Sequence, residues 1–174
     1  MEHTIYFGAG CFWCVEAVFR NIRGVDSVES GYANGYHSKI PNYRQISTNS
    51  TGYAEVVRIQ YNDSVISTEH LLEIFFGTHD TTTLNQQGTD IGTQYRSAVF
   101  YTTLEQSKIA NKIIDSLAKL GIHATTVVQP ITHYGKADED HQNYYEKNRN
   151  EAYCATVIEP KLKKFRERFS QYAK

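Results

Sequence analysis

The sequence predicts an α+β domain whose sheet, mixed or antiparallel, is covered by helices. Three observations lead there. Strand-like and helix-like segments interleave, yet several strands follow long polar loops rather than regular crossover helices, which argues against a doubly wound parallel sheet. The length, 174 residues, suits one domain over residues 1–174 with a hydrophobic core of its own. Composition is ordinary for a globular chain, 40% hydrophobic and 21% charged, with scattered prolines and no repeat or low-complexity tract.

Taken in order, Thr4–Phe7 reads as a short strand and Gly8–Ala9–Gly10 as a tight turn. From Cys11 to about Arg23, the residues Phe12, Val15, Val18, Phe19 and Ile22 recur at helical spacing. Val25–Ser30 is strand-like, and the polar, turn-rich Gly31–Thr51 is a long surface loop. Tyr53–Tyr61 alternates with period two, so Tyr53, Glu55, Val57, Ile59 and Tyr61 share one face of a half-buried strand. Leu71–Thr78 is helical, and Asp80–Gln94 is irregular. Ser97–Tyr101 is a strand, Leu104–Leu120 a helix and Thr125–Thr132 a strand. Asp138–Lys147 opens with acidic residues, as suits the positive end of a helix dipole. Leu162, Phe165, Phe169 and Tyr172 share one face of a last helix, with Pro160 in its first turn. Two long loops in one domain point to a binding or catalytic surface.

Net charge is −1 with no basic block, so nucleic acid is not an expected partner. Apolar stretches such as Leu71–Phe76 are interrupted by Glu73 and too short to cross a bilayer. Met1–Glu2–His3 leads straight into a strand without the pattern of an export signal. The expectation is a cytoplasmic protein, and nothing demands more than a monomer.

Three cysteines are too few, and odd in number, for a disulfide framework. Cys11 and Cys14 form a C-x-x-C pair where a glycine turn opens a helix, and Cys154 lies near the C-terminus. Unpaired N–H groups at a helix N-terminus favour a thiolate, so Cys11 is expected to have a depressed pKa. Residues three apart on a helix are roughly 5–6 Å apart, a separation a disulfide can bridge. The local physics therefore permits attack by Cys11 and capture of its oxidised form by Cys14. A C-x-x-C can also be half of a zinc site, but only Cys154 and scattered histidines are left to complete one, so no metal is expected.

The string Gly10–Cys11–Phe12–Trp13–Cys14 resembles the signature of the peptide methionine sulfoxide reductase A family. The likeness continues in order through Gly31–Gly35, Asn42–Arg44, Thr51–Val57, Gly88–Ser97, Asp138–Gln142 and Tyr153–Cys154, so it covers nearly the whole chain. The resemblance implies a two-layer ferredoxin-like plait and reduction of the S epimer of methionine sulfoxide, free or in oxidised proteins. It implies that Cys11 is the nucleophile and that Phe12 and Trp13 wall the substrate methyl group. Tyr43, Glu55, Asp90 and Tyr95 would surround the sulfoxide oxygen. Cys154 falls at the family's resolving position. No bound cofactor is implied, and thioredoxin is the expected external reductant. Departures are Tyr53 where histidine is usual, Thr89 for asparagine, Thr81 for proline, and Cys14 where many relatives carry glycine.

These residues suit the reaction. A sulfoxide sulfur becomes electrophilic when its oxygen is protonated, so the enzyme needs a thiolate on one side and an acid on the other. Glu55, on an apolar strand face, should be desolvated and hold its proton toward neutral pH. Read from the residues alone, Glu55 could equally be a strand-end carboxylate paired with Arg44 or Arg58. Most of the 13 tyrosines must be packing residues, and Asp90 could be a turn residue. His141 reads as a packing or capping element, and the charges of Lys161–Arg168 as a solvated helix face. Cys14 is expected to resolve first, with Cys154 as a relay toward the surface. Two rival readings stay open. A general thiol–disulfide or peroxide oxidoreductase gives Glu55 and the tyrosine-bearing loops no role, and a zinc-binding interaction module lacks ligands.

Overall fold

The period-two pattern around Glu55 becomes the middle of a six-stranded sheet. The computed structural model describes residues 1–174. In chain order the elements are β1 (Glu2–Gly8), α1 (Phe12–Phe19), β2 (Val25–Ala33), α2 (Tyr43–Ile46), β3 (Ala54–Asn62), α3 (Thr68–Gly77) and the short pair β4 (Gln86–Gln87) and β5 (Asp90–Ile91). There follow β6 (Ala98–Tyr101), α4 (Leu104–Lys119), β7 (Val127–Pro130), β8 (Tyr134–Lys136), α5 (Tyr144–Lys147) and α6 (Glu159–Arg168). The sheet order is β7-β6-β1-β3-β2-β8, with β4 and β5 apart as a hairpin. Every pairing is antiparallel except β6 with β7, which α4 connects as a crossover. The expected mixed α+β architecture is what the chain adopts.

Alternation along β3 sorts its side chains between two clusters. Val57, Ile59 and Tyr61 join the large core, together with Ile5, Phe7 and Val99 of neighbouring strands and the buried faces of α1, α3 and α6. Ala54 and Val56 point the other way, into a small cluster with Tyr6, Ala33, Ala98 and Phe100 to which no helix contributes. Glu55 falls on the helix-covered side. Phe75 of α3 stacks on Phe7 with ring centroids 4.5 Å apart, and a fully buried aromatic of this kind contributes roughly 1.5–3 kcal/mol. No helix is long and apolar enough to cross a membrane.

Where structure and expectation differ, tertiary contacts decide. The loop Gly31–Thr51 is shorter than expected, because β2 continues to Ala33 and α2 forms behind the Asn42–Gln45 capping box. The edge strand β8 carries no alternation to betray it and exists by pairing with β2. The helix expected over Asp138–Lys147 is broken into a 3₁₀ turn at Glu139–His141 and the short α5. Gln142 breaks it: its buried side chain accepts from the Ser30 N–H (2.9 Å) and donates to the carbonyls of Ser30 and Ala137. Those bonds require an extended backbone at Gln142, followed by Asn143 at φ 50°. Pro160 does lie in the first turn of α6, yet the chain before it is already helical, through a π-turn over Cys154–Ile158.

Candidate active site

Cys11 stands at the junction of β1 and α1. Gly10 makes the turn at φ 88°, where a Cβ would meet the Gln87 side chain at 2.7 Å, so only glycine fits. Cys11 then takes the extended N-cap conformation (φ −61°, ψ 126°), and its carbonyl accepts from the N–H groups of Cys14 and Val15. No side chain caps this helix. Its free donors serve the site instead. The Phe12 N–H donates to Glu55 Oε1 at 3.2 Å, and the Trp13 N–H points to the Cys11 sulfur. Residues 11 and 55, remote in sequence, therefore flank one peptide group.

Glu55 is 2% exposed and has no ion pair, so neither Arg44 nor Arg58 serves it. Burial, reinforced by the nearby Asp90 and Cys14, pushes its pKa up to about 8 against the opposing pull of the Phe12 N–H. Tyr43, at the start of α2, is pushed up to about 12 by burial and then by Glu55. Tyr95, in the 3₁₀ turn Thr93–Tyr95, is raised by burial, Glu55, Tyr43, Cys11 and Asp90, which places it in the same cluster.

The two thiols behave as a pair. Cys14, 3% exposed, is lowered to about 7, first by its hydrogen bond with Cys11 and then by Lys161 and Tyr153 against the cost of burial. Cys11 is pushed well above the ordinary thiol range, by burial first and then because its S–H donates to the Cys14 sulfur. The expected lowering at Cys11 is thus overturned: its burial, and then its hydrogen bond to Cys14, outweigh the helix N-terminus. The pair shares one proton, and the first ionisation belongs to both sulfurs. Tyr153 Oη lies 3.5 Å from Cys14 Sγ and donates to Asp90 Oδ2 at 3.1 Å, linking β5 to the pair. Cys154, next along, opens the π-turn and is fully buried. All three cysteines are free thiols.

Aromatic rings line one side of this cluster. Phe12, fully buried, faces Tyr32 at 5.6 Å and Tyr43 at 6.4 Å. Half-buried Trp13 stacks on Tyr144 at 3.7 Å and donates through Nε1 to His141 Nδ1 at 3.2 Å. His141 in turn stacks on Tyr43 at 4.4 Å. His141 therefore belongs to the wall of the site rather than capping a helix. Tyr144 was not singled out from the sequence, and Tyr153 and Tyr32 entered only as members of motifs, without roles. Tyr32 had a usable signal, since it lies beside the Gly31 motif, but its place opposite Glu55 needs the β2–β3 register. A cleft of about 570 Å³, lined by His79, Lys161, Lys164 and Arg168, borders this cluster through Lys161, whose charge acts on Cys14. No three His, Cys, Asp or Glu side chains converge as a metal-binding set.

Comparison with known proteins identifies the family. The family model for peptide methionine sulfoxide reductase matches residues 3–173. The chain belongs to the peptide methionine sulfoxide reductase family. One relative, peptide methionine sulfoxide reductase MsrA of Psychrobacter sp. (strain PRwf-1), is 45% identical over 170 residues, covering 97% of each chain. Among solved structures, reduced Mxr1 from Saccharomyces cerevisiae superposes with a TM-score of 0.81 at 36% identity, covering 88% of this chain and 89% of that one. Mxr1 in complex with Trx2 matches with a TM-score of 0.56 at 28% identity, covering 82% and 84%.

Proposed function

We propose that this protein reduces the S epimer of methionine sulfoxide, with Cys11 as nucleophile and Glu55 as acid. The observation that carries the reading is the shared peptide. The Phe12 N–H, next in the chain to Cys11, bonds a carboxyl group that holds its proton to about pH 8 and whose charge acts on the Cys11 thiol. Phe12 and Trp13 would cradle the substrate methyl group, where S–aromatic contact favours a thioether. Tyr43 and Tyr95 would donate to the sulfoxide oxygen, and Asp90 would orient Tyr153 against Cys14.

The steps balance. The shared proton moves to Cys14, leaving the thiolate on Cys11. That sulfur attacks the sulfoxide sulfur while Glu55 protonates the oxygen. The adduct collapses to methionine and a Cys11 sulfenic acid, so the substrate sulfur gains the two electrons that Cys11 loses. Cys14 then attacks Cys11, and the hydroxyl leaves as water with the Cys14 proton. Cys154 would exchange into this disulfide afterwards and relay it outward. Its complete burial requires the π-turn segment to open first. Thioredoxin would restore the thiols, a reading supported by the solved Mxr1–Trx2 complex. The protein is read as one cytoplasmic, monomeric domain without a bound cofactor, acting on free or protein-bound methionine sulfoxide.

The test is turnover of the separated sulfoxide epimers by wild type, Cys11→Ser and Glu55→Gln, with thiols counted after one cycle. Cys11→Ser should be inactive, and Glu55→Gln should lose about 10²–10⁴-fold. Wild type should lose two thiols per methionine formed. Faster turnover of peroxide or of insulin disulfides than of the sulfoxide would instead favour a general thiol oxidoreductase.

A further inference from the structure

Tyr32 stands directly opposite Glu55 in the β2–β3 ladder, so the two side chains rise from the same sheet face with Cβ atoms about 5 Å apart. Tyr32 is 3% exposed, and its ring packs against Phe12, the residue whose N–H serves Glu55. Its hydroxyl is buried and bonds to nothing. An orphaned buried donor is costly, and phenylalanine would fill the same space without the cost. A hydroxyl kept at such a place points to a partner that the resting site does not present.

The surroundings say which partner. Glu55 from β3, Tyr43 from α2 and Asp138 from the turn after β8 act electrostatically on Tyr32. Glu55 is itself faced by Cys11 and Cys14 at the start of α1 and by Asp90 of β5, while Tyr95 and His141 complete the ring of titratable groups. None of these supplies a resident positive charge, since burial lowers the His141 pKa. Once Glu55 has given up its proton it becomes a buried carboxylate with a single donor, the Phe12 N–H, while Tyr43 and Tyr95 are committed to the substrate oxygen. We propose that Tyr32 is a positioning residue acting through Glu55: its hydroxyl, unpaired while Glu55 is protonated, donates to the carboxylate formed when the proton passes to the sulfoxide. The inference rests on Glu55 being the acid.

Tyr32→Phe tests it. The single-turnover rate should fall about tenfold to a hundredfold, the range for a hydrogen bond to a charged group, with KM little changed. A weaker acid titrates higher, so the alkaline limb of the rate profile should move up by about one pH unit for each tenfold. The carboxylic acid C=O band that Glu55→Gln removes from the infrared difference spectrum should persist to correspondingly higher pH in Tyr32→Phe. Thermal stability should not fall, since an orphaned polar group has been removed. Wild-type rate with an unmoved limb overturns the proposal, and so does a slower enzyme with raised KM and an unmoved limb. If Glu55→Gln itself turns over normally, the acid assignment fails first, which separates the two outcomes.

Discussion

Two glutamates lie inside this protein almost equally hidden, and they do opposite things. Glu16 on α1 is 1% exposed and Glu55 on β3 is 2% exposed. Glu16 has a cation one helical turn away, with Arg20 Nη2 at 3.3 Å from its Oε2, and it also takes the N–H groups of Asn143 and Tyr144. Burial raises its pKa, but those partners pull it back. Glu55 has one N–H, no cation and the acidic Asp90 beside it, and rises to about 8. Burial alone is therefore not enough to make an acid available at neutral pH. It is the main cause of the rise at Glu55, where no cation offsets it, and at Glu16 it is opposed by Arg20 and two N–H groups. Glu16 serves a different end: it fastens the segment bearing Tyr144, whose ring covers Trp13.

The largest expected effect comes from the pH dependence of stability. Glu55 is raised in the folded state, so between its ordinary value of 4.5 and about 8 the unfolded chain binds fewer protons than the native one. Its contribution is fully present below about pH 4.5 and is lost as pH rises through 8. Glu55→Gln removes that titration. The variant should match wild type near pH 4.5 and exceed it above pH 8 by a few kcal/mol, at about 1.4 kcal/mol for each pH unit separating the two states. Urea titrations at both pH values measure this. Parallel loss of stability in the two proteins would mean that Glu55 does not hold a proton and that the contrast with Glu16 is illusory.

A smaller effect, of a different kind, is expected at Glu16. Glu16→Met keeps the volume but leaves the Asn143 and Tyr144 N–H groups without an acceptor and Arg20 without its carboxylate, a cost of about 1–3 kcal/mol. Loosening that segment should shift the fluorescence of Trp13, the only tryptophan, and raise KM several-fold. The rate at saturating substrate should stay near wild type, because no proton moves through Glu16. Loss of the saturating rate on the scale of Glu55→Gln would show that both acids belong to the chemistry.

The contrast also measures how far a sequence can be read. The β3 alternation was enough to put Glu55 on the helix-covered face, and the glycine turn placed Cys11 and Cys14 at the mouth of α1, because both are local patterns of period or turn chemistry. Resemblance brought Tyr43, Asp90 and Tyr95 to the same place, and they converge there. What escaped depends on partners far along the chain. Gln142 breaks its helix by bonding Ser30, more than a hundred residues away. His141 joins the aromatic wall only because that break swings it over Trp13 and Tyr43. The Cys11 proton affinity was read from the helix end alone, and burial together with the hydrogen bond to Cys14 reversed it. Charge balance in the core is a tertiary property. No window of sequence distinguishes a glutamate with an arginine in reach from one without.

That argument can be pressed by making Glu16 resemble Glu55. Arg20→Met removes the one cation beside Glu16 and leaves the two backbone donors in place. The pKa of Glu16, already raised, should climb further, and the stability lost as pH rises above 4.5 should grow accordingly. The magnitude is modest, about 1 kcal/mol at pH 8, because the Arg20 side chain is 39% exposed and solvent screens part of the pair. The Arg20 guanidinium also donates to the Val28 carbonyl at 3.0 Å, so some of the loss will be independent of pH. Denaturation of Arg20→Met and of the double variant Arg20→Met/Glu16→Gln across pH 5–8 separates the two, since only the pH-dependent part should vanish when Glu16 is neutralised. A pH-independent loss in both would mean that Arg20 supports β2 and leaves the charge of Glu16 alone, and the backbone N–H groups would then suffice to keep a buried carboxylate from becoming an acid.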